Sequence, residues 1–440
     1  MGASLEPSQA AIGIVGGGQL AWMLAQAARR QGVELHVQTP SPSDPAAGLA
    51  TSLVQAPVRD AEGTRLLAGR CRAVSFENEW VDLEGLAPLA AAGVCFVPAL
   101  EALRPLVCKR SQRELLQRLH LPSPRWFALE QVQQELEEAQ RRAAAEADDP
   151  AEPAARAPGA GATPPEPPRP RLPEGFRFPV MAKAASGGYD GRGTAVLQHD
   201  DDLEALLRRV DPSAWIVEEF VAFEQELAVV AARDAAGEVV LFPLAQTHQH
   251  AQVCDWVLAP VEPNHALQQA VRNIAASLLT SLGYVGVMAI EFFYGPAGLM
   301  VNEIAPRTHN SGHYTIEACS LSQFDQQLRL VAGARAEEPQ LQAAGALMVN
   351  LLGFEQRAVA EGGAEIYAGH RQALNDLPHA HLHWYGKQGS SIGRKLGHVT
   401  LLLQAPDPQA RRAEAMQRLE EVRRIWPLPP AQGSETAGGA

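Results

Sequence analysis

The chain has 440 residues, a length typical of two or three domains rather than one. Its 37 basic and 50 acidic residues give a net charge of −13, with 46% hydrophobic and 20% charged residues, a balance that argues against non-specific binding to nucleic acid or to an anionic membrane. No apolar run reaches the ~18 residues of a membrane span, no basic stretch leads into an apolar signal core, and the five cysteines form no Cys-x-x-Cys pair. The sequence therefore predicts a cytoplasmic, multi-domain protein without disulfides or a cysteine zinc site.

In chain order, residues 11–15 predict a strand that runs into Gly16-Gly17-Gly18 and a helix to Arg30. Residues 33–37, 73–76 and 94–97 read as further strands of one parallel sheet. A helix over 109–120 ends at Leu121-Pro122-Ser123-Pro124. From 130 to 175 the chain is rich in Ala, Glu and Pro, and predicts a solvated helix that passes into a proline-rich tether, an inserted and largely disordered surface loop. Strands follow at 178–185 and 194–198 around a glycine-rich turn, then a helix at 201–210, strands at 215–220 and 225–233, a helix at 265–282 and a hairpin over 286–304. Short strands at 379–385 and 396–403, a helix at 408–424 and a disordered tail from 427 complete an α/β chain of three domains, 1–108, 109–335 and 336–426.

Arginine supplies nearly all the positive charge, so the four lysines, Lys109, Lys183, Lys387 and Lys395, are positions to examine for a compact ammonium that a guanidinium cannot replace. Gly16-x-Gly18-x-x-Ala21 follows a strand and opens a helix, as a dinucleotide fingerprint does, but Val37-Gln38-Thr39 lacks the acid that would bind an NAD ribose. Two readings stay open, a phosphate on the helix N-terminus or a tight turn that packs strand on helix. In Lys183-Ala-Ala-Ser-Gly187-Gly188-Tyr189-Asp190-Gly191-Arg192-Gly193, four glycines among charged and aromatic groups suit a backbone cradle for phosphate oxygens, with Lys183 as the point charge.

The hairpin carries a third signal. A three-residue loop with Gly298 in the left-handed position sets Glu291 opposite Glu303, and two facing carboxylates beside Asn302 suit Mg²⁺ arriving with substrate phosphates. Arg307, His309, Asn310, Ser311 and His313 crowd the loop that follows, where they can stabilise charge on a transferring phosphoryl group. His379, His381 and His383 share one face of a predicted strand, but no acid or cysteine completes a zinc site.

These motifs, together with the late His381-Leu-His383-Trp-Tyr-Gly386-Lys387 and Arg394-Lys395-Leu-Gly397-His398, resemble the ATP-grasp enzymes of purine synthesis, and within them the 5-(carboxyamino)imidazole ribonucleotide synthase family. The resemblance runs from about residue 11 to 425, outside the insertion, and implies a Rossmann-like pre-ATP-grasp domain, an ATP-grasp domain and a small β-rich C-terminal domain. It implies an ATP- and Mg²⁺-dependent ligase, a homodimer, that makes carboxyphosphate from bicarbonate and passes the carboxyl group to 5-aminoimidazole ribonucleotide. By the resemblance, Lys109, Lys183, the turn Gly188, Tyr189, Asp190, Gly191, Arg192, Gly193 and Thr194, the hinge Glu218, Glu219, Phe220 and Val221, and Glu226, Asn302 and Glu303 bind ATP. Glu218 and Glu226 frame adenine and ribose, and Glu291 and Glu303 hold the metal. Gly18, Gln19, Leu20, Glu77, Tyr189, Asp190, Arg192, Asn310, Lys387 and Arg394 face the ribonucleotide, its phosphate on the glycine opening and the late basic cluster. Arg307 and His309 steady carboxyphosphate, and Lys387 joins them as a catalytic residue.

Two departures concern this chain. Where many relatives carry a nucleotide-site His and Asp, the matched positions are Gln249 and Ala251, and the lysine match at Lys109 has Arg110 as its alternative. A formate-using transformylase of the same fold is disfavoured by Tyr189-Asp190-Gly-Arg192 and the late His-x-His-Trp-Tyr segment. A biotin carboxylase would pair with a biotinyl Met-Lys-Met segment, which the chain lacks. A non-catalytic nucleotide-binding module is disfavoured because Lys183, Glu291, Glu303 and Arg307 are all present.

Overall fold

The computed structural model describes residues 11–147, 167–187, 193–356 and 367–430. Strand β1 (Ala11–Val15) pairs in parallel with β2 (Glu34–Thr39) and β4 (Ala73–Phe76), and β3 (Ser52–Gln55) extends the sheet in the order β3-β2-β1-β4. Strands β1 and β4 are almost wholly buried, as strands covered on both faces are. The strand expected at 94–97 is reduced to a single bridge, Val74 to Phe96, because Pro98 follows at once with no amide proton for a ladder.

A small antiparallel sheet follows, β5 (Trp126–Ala128), β6 (Val180–Ala184), β7 (Thr194–Leu197) and β8 (Trp215–Glu219), in the order β5-β8-β6-β7. The helix Leu129–Ala147 enters the insertion with Leu129 and Val132 buried against this sheet, so its first turn is packed rather than solvated. On the far side of residues 148–166, which lie outside the described residues, Leu172 packs on the same core and Arg169 pairs with Asp201 and Glu204. The insertion is thus tied to the small sheet at both ends.

The remaining strands form one sheet. β9 (Gln225–Arg233), β10 (Val239–Leu241), β11 (Ala245–His250), β12 (Val253–Ala259), β13 (Gly286–Gly295), β14 (Gly298–Ala305), β15 (Gly345–Leu352), β16 (Ala380–Trp384) and β17 (Lys395–Leu403) run in the order β14-β13-β9-β11-β12-β15-β17-β16, with β10 on β9. The pairing of β12 with β15, from Trp256 opposite Val349 to Ala259 opposite Ala346, carries the ladder across the boundary expected near 335. Helix Pro408–Ile425 closes the far end and leads to Trp426, fully buried with its indole N–H donated to the Leu352 carbonyl at 2.8 Å. Of the tail, Pro427–Pro430 is described, and the Pro429 carbonyl meets His250 Nε2 at 2.9 Å. No helix among the described residues is long and apolar enough to cross a membrane.

Candidate active site

The glycine opening exists because other side chains fill the space a Cβ would need. A Cβ on Gly16 or Gly18 would sit 2.5 or 2.4 Å from a Glu77 carboxylate oxygen, and one on Gly17 would sit 2.4 Å from Thr39 Oγ1. Helix Gln19–Gln31 has no side-chain cap of its own. Glu77 caps it from the end of β4, with Gly18 N–H donating to Oε2 at 2.8 Å and Leu20 N–H to Oε1 at 3.2 Å. A protein carboxylate thus takes the Gly18 and Leu20 N–H donors of this turn. Burial raises the Glu77 pKa against the N–H bonds from Gly18, Ala21 and Leu20 and the charge of Arg307.

The hairpin places its carboxylates as expected, but by another route. The loop has two residues, Pro296 and Ala297, between Gly295 and Gly298, and Gly298 has φ +88°. That register alone would set Glu291 against Asn302. A bulge beside Phe292 leaves Asn302 unmatched and brings Glu303 opposite Glu291. Burial and the charges of Glu303 and Glu226 push the Glu291 carboxyl up to about 7. Burial acts the same way on Glu303, but Lys109, whose Nζ lies 2.9 Å from Oε2, outweighs it and holds this carboxyl down at about 2. Two such carboxylates with an amide oxygen are hard donors of the kind that fit Mg²⁺, which uses one or two carboxylates and completes its shell with water and phosphate. No group of three or more His, Cys, Asp and Glu that could hold a metal gathers among the described residues.

The unmatched Asn302 serves two cations. Its side-chain oxygen accepts from Lys183 Nζ at 3.2 Å, and its carbonyl accepts from Arg113 at 2.6 Å. Lys183 and Arg113 meet again at Glu218, at 2.7 and 2.6 Å, with Glu218 only 2% exposed. Burial lowers the Lys183 pKa, opposed by Glu218. Burial raises that of Glu218, but Lys183 and Arg113 bring it down to about 2. The Glu218 side chain is thus buried in an ion-pair triad, and Glu219 pairs with Arg125 at 2.9 Å. Phe220 is exposed and Val221 half-buried at the same turn. Glu226 points its carboxyl at Gln249, and burial lifts it to about 7.

Loop 306–313 leaves β14 with Arg307 forked onto Glu79, Nε to Oε2 at 2.7 Å. His309 Nδ1 lies 3.0 Å from Ser311 Oγ and 3.8 Å from Glu291 Oε1, beside the carboxylate pair. Asn310 does not face a ligand: it is buried, and its amide exchanges hydrogen bonds of 2.9 and 2.8 Å with Asn350. From the late segment Lys387 Nζ donates to Gln19 Oε1 at 2.7 Å and to the Lys395 carbonyl at 2.8 Å, which joins two expected ribonucleotide residues 368 positions apart. Arg394 donates to the carbonyls of Gln388 and Gly389 and is exposed. Among the histidines once weighed for zinc, His379 lies outside β16 with φ +57°, His381 is exposed, and His383 pairs with Glu317 at 2.7 Å.

Gly188, Tyr189, Asp190, Gly191 and Arg192 lie outside the described residues; Gly193 and Thr194 follow them, Thr194 bonded to Gln252. Sequence reading missed Arg113, Glu79 and Glu317. Arg113 had a signal, one helical turn beyond Lys109 on the same face. The other two are defined only by partners 228 and 66 residues away.

Three domain families match the chain: the ribonucleotide synthetase pre-ATP-grasp domain over residues 9–105, the ATP-grasp domain over 170–324, and the phosphoribosylaminoimidazole carboxylase C-terminal domain over 346–412. An N5-carboxyaminoimidazole ribonucleotide synthase of Synechococcus elongatus is 46% identical over 418 residues, covering 95% of this chain and 96% of the relative. That of Bacillus subtilis is 30% identical over 401 residues, covering 90% and 93%. A structure of N5-carboxyaminoimidazole synthase from Aspergillus clavatus with ADP and 5-aminoimidazole ribonucleotide superposes with a TM-score of 0.75 at 26% identity, covering 95% of this chain and 100% of that one. The synthetase of Thermotoga maritima gives 0.72 at 29%, covering 93% and 98%.

Proposed function

The chain belongs to the N5-carboxyaminoimidazole ribonucleotide synthase family of ATP-grasp enzymes and is an ATP-dependent ligase of purine biosynthesis, and on that premise we propose the carboxyl donor and the residues that serve it. The donor is bicarbonate. A bicarbonate oxygen attacks the γ-phosphorus of ATP, the bond to the β-phosphate oxygen breaks, and carboxyphosphate and ADP result. The exocyclic amine of 5-aminoimidazole ribonucleotide then attacks the carboxyl carbon, phosphate leaves, and the nitrogen sheds one proton.

The observation that carries the assignment of roles is the opposed pair Glu291 and Glu303, with Lys109 on one carboxylate and His309 beside the other. Glu291 and Glu303 hold Mg²⁺, which when bound offsets charge on the phosphates. Lys109 and Lys183 meet the β- and γ-phosphates from either side of Asn302, exchanging carboxylate partners for phosphate oxygens. Glu226 accepts from the ribose, and the backbone from Glu219 to Val221 borders the adenine. Gly188 to Thr194 cover the phosphates. His309 and Arg307 orient the acyl phosphate, Arg307 held by Glu79. Gln19, Lys387 and Arg394, with Tyr189, Asp190 and Arg192, receive the ribonucleotide. Leu20 is buried and Gly18 gives its N–H to Glu77, so these two shape the pocket wall. The enzyme works as a cytoplasmic homodimer, a reading supported by the family resemblance and tested by a solution mass of twice the 47.2 kDa chain.

The deciding experiment measures ADP release from Mg·ATP and bicarbonate, with and without 5-aminoimidazole ribonucleotide. Release strongly stimulated by the ribonucleotide, with its amine consumed, is the expected result. Release that needs formate and another ribonucleotide would move the protein to the transformylase branch, and ATP binding without turnover would leave a binding module.

A further inference from the structure

Behind the loop that carries Arg307 and His309 lies a buried row of polar side chains that the mechanism above does not use. His398 and His313 are fully buried with ring centroids 4.8 Å apart, and His383 stacks on His398 at 4.5 Å. The Tyr385 hydroxyl and His398 Nδ1 share a hydrogen bond at 2.8 Å, and His383 meets Glu317 at 2.7 Å. His313 Nδ1 lies 3.3 Å from Gln323 Nε2. Gln323 in turn clamps the His309 backbone, accepting its N–H at 2.9 Å and donating to its carbonyl at 2.7 Å. At the other end the Lys387 ammonium sits 5.4 Å over the Tyr385 ring and bonds to Gln19. The row therefore runs without a gap from the ribonucleotide end to the acyl-phosphate end.

Burying such a row is costly. The outer nitrogens of His313 and His398, Thr400 Oγ1 and one Glu317 oxygen have no hydrogen-bond partner among the described residues, so each has lost the hydrogen bonds it would make in water. An aliphatic filling would avoid that cost. Burial holds both histidines well below their ordinary pKa, so they are neutral.

We propose that His398 is a positioning residue that, through Tyr385 on one side and His313 and Gln323 on the other, sets the distance between the Lys387 ammonium and the His309 turn. The proposal rests on the ligase reading for what those two ends bind. Its test compares Tyr385→Phe, His398→Phe and His398→Asn, the last keeping an acceptor near the Nδ1 position. Tyr385→Phe removes one oxygen from a ring that stays packed, so it reports even where a histidine variant fails to fold.

Tyr385→Phe and His398→Phe are each expected to lower kcat/KM for the ribonucleotide about tenfold, the loss of one buried hydrogen bond, with KM for ATP within about twofold of wild type. The double variant should cost no more than either single one, and His398→Asn should recover most of the loss. Equal effects on both substrates, additive losses, unchanged kinetics in folded variants, or no recovery in His398→Asn would each overturn the proposal. If the wild type itself shows no ribonucleotide-stimulated ADP release, the ligase reading has failed instead, and the two failures are thereby told apart.

Discussion

The Glu226 carboxyl, lifted to about 7 by burial beside Gln249, holds a proton in the folded protein that the unfolded chain releases near 4.5. Its contribution to stability is therefore complete below about 4.5 and is lost as the pH rises through about 7. The melting temperature of the nucleotide-free protein is expected to fall between about pH 5 and pH 8, and to fall less in Glu226→Gln, as calorimetry can measure. An identical slope in both proteins would remove this assignment. Glu303→Gln should abolish Mg²⁺-dependent ADP release by a factor of about a hundred or more while leaving the circular dichroism unchanged. Retained turnover would mean that the hairpin carboxylates are not the metal site. Lys387→Ala should raise the half-saturating ribonucleotide concentration more than that of ATP; an equal rise for both would contradict its placement at the ribonucleotide. Residues of this kind were legible where chemistry is local. Lysine scarcity singled out four positions, and the structure puts Lys109 on Glu303, Lys183 on Glu218, Lys387 on Gln19 and Lys395 within the field of Glu291. Glu79 and Glu317 were not legible, since nothing in their neighbourhood names the Arg307 or His383 that gives each its role.

At the scale of elements the hairpin is instructive. The facing of Glu291 and Glu303 was anticipated with a three-residue loop, whereas the protein uses a two-residue loop and restores the frame with the bulge at Asn302. A period of two makes any one-residue error flip the face, so the expectation survived only because two departures cancel. The bulge also turns Asn302 toward Lys183 and its carbonyl toward Arg113, which no alternation rule would foresee. Helix Lys109–Arg118 was expected to supply Lys109, with Arg110 as the alternative, yet it is Arg113 that joins it to both β8 and β14. Replacing Arg113 by Met leaves Glu218 buried with one partner where it had two, and should lower the free energy of urea unfolding by about 3 kcal/mol. A change under about 1 kcal/mol would show that Lys183 alone satisfies Glu218. Helix Gln19–Gln31 and its glycines were read correctly as strand, turn and helix, but the partner that makes those glycines necessary comes from 59 residues further on.

Across the whole molecule, composition and motif order led to an expectation of three segments; the three matched families lie over 9–105, 170–324 and 346–412. What could not be foreseen is that hydrogen bonding ignores the last of those divisions. Long-range strand pairing is set by shape and burial over the whole core, and the fully buried β15 carries no mark saying that its neighbour will be β12. A chain ended after residue 335 would leave the β12 edge bare along four paired positions and is expected to aggregate on expression, as sedimentation would reveal. A soluble monomer from that truncation would show the two parts to be separable.

The continuous nine-stranded sheet also decides which part of the protein can act as a jaw. The segment between β16 and β17, with Lys387, and the carboxylate hairpin flank the same unbroken plate, so neither can travel far relative to the other without parting a strand ladder. The four-stranded sheet β5-β8-β6-β7 shares no strand with that plate. Between them Lys183 of the small sheet donates to Asn302 of β14, and Arg113 of helix Lys109–Arg118 bonds both Glu218 and the Asn302 carbonyl, polar clasps that a polyphosphate could loosen by competing for the cations. Any relative movement of the two sheets would therefore part side-chain bonds and no strand ladder.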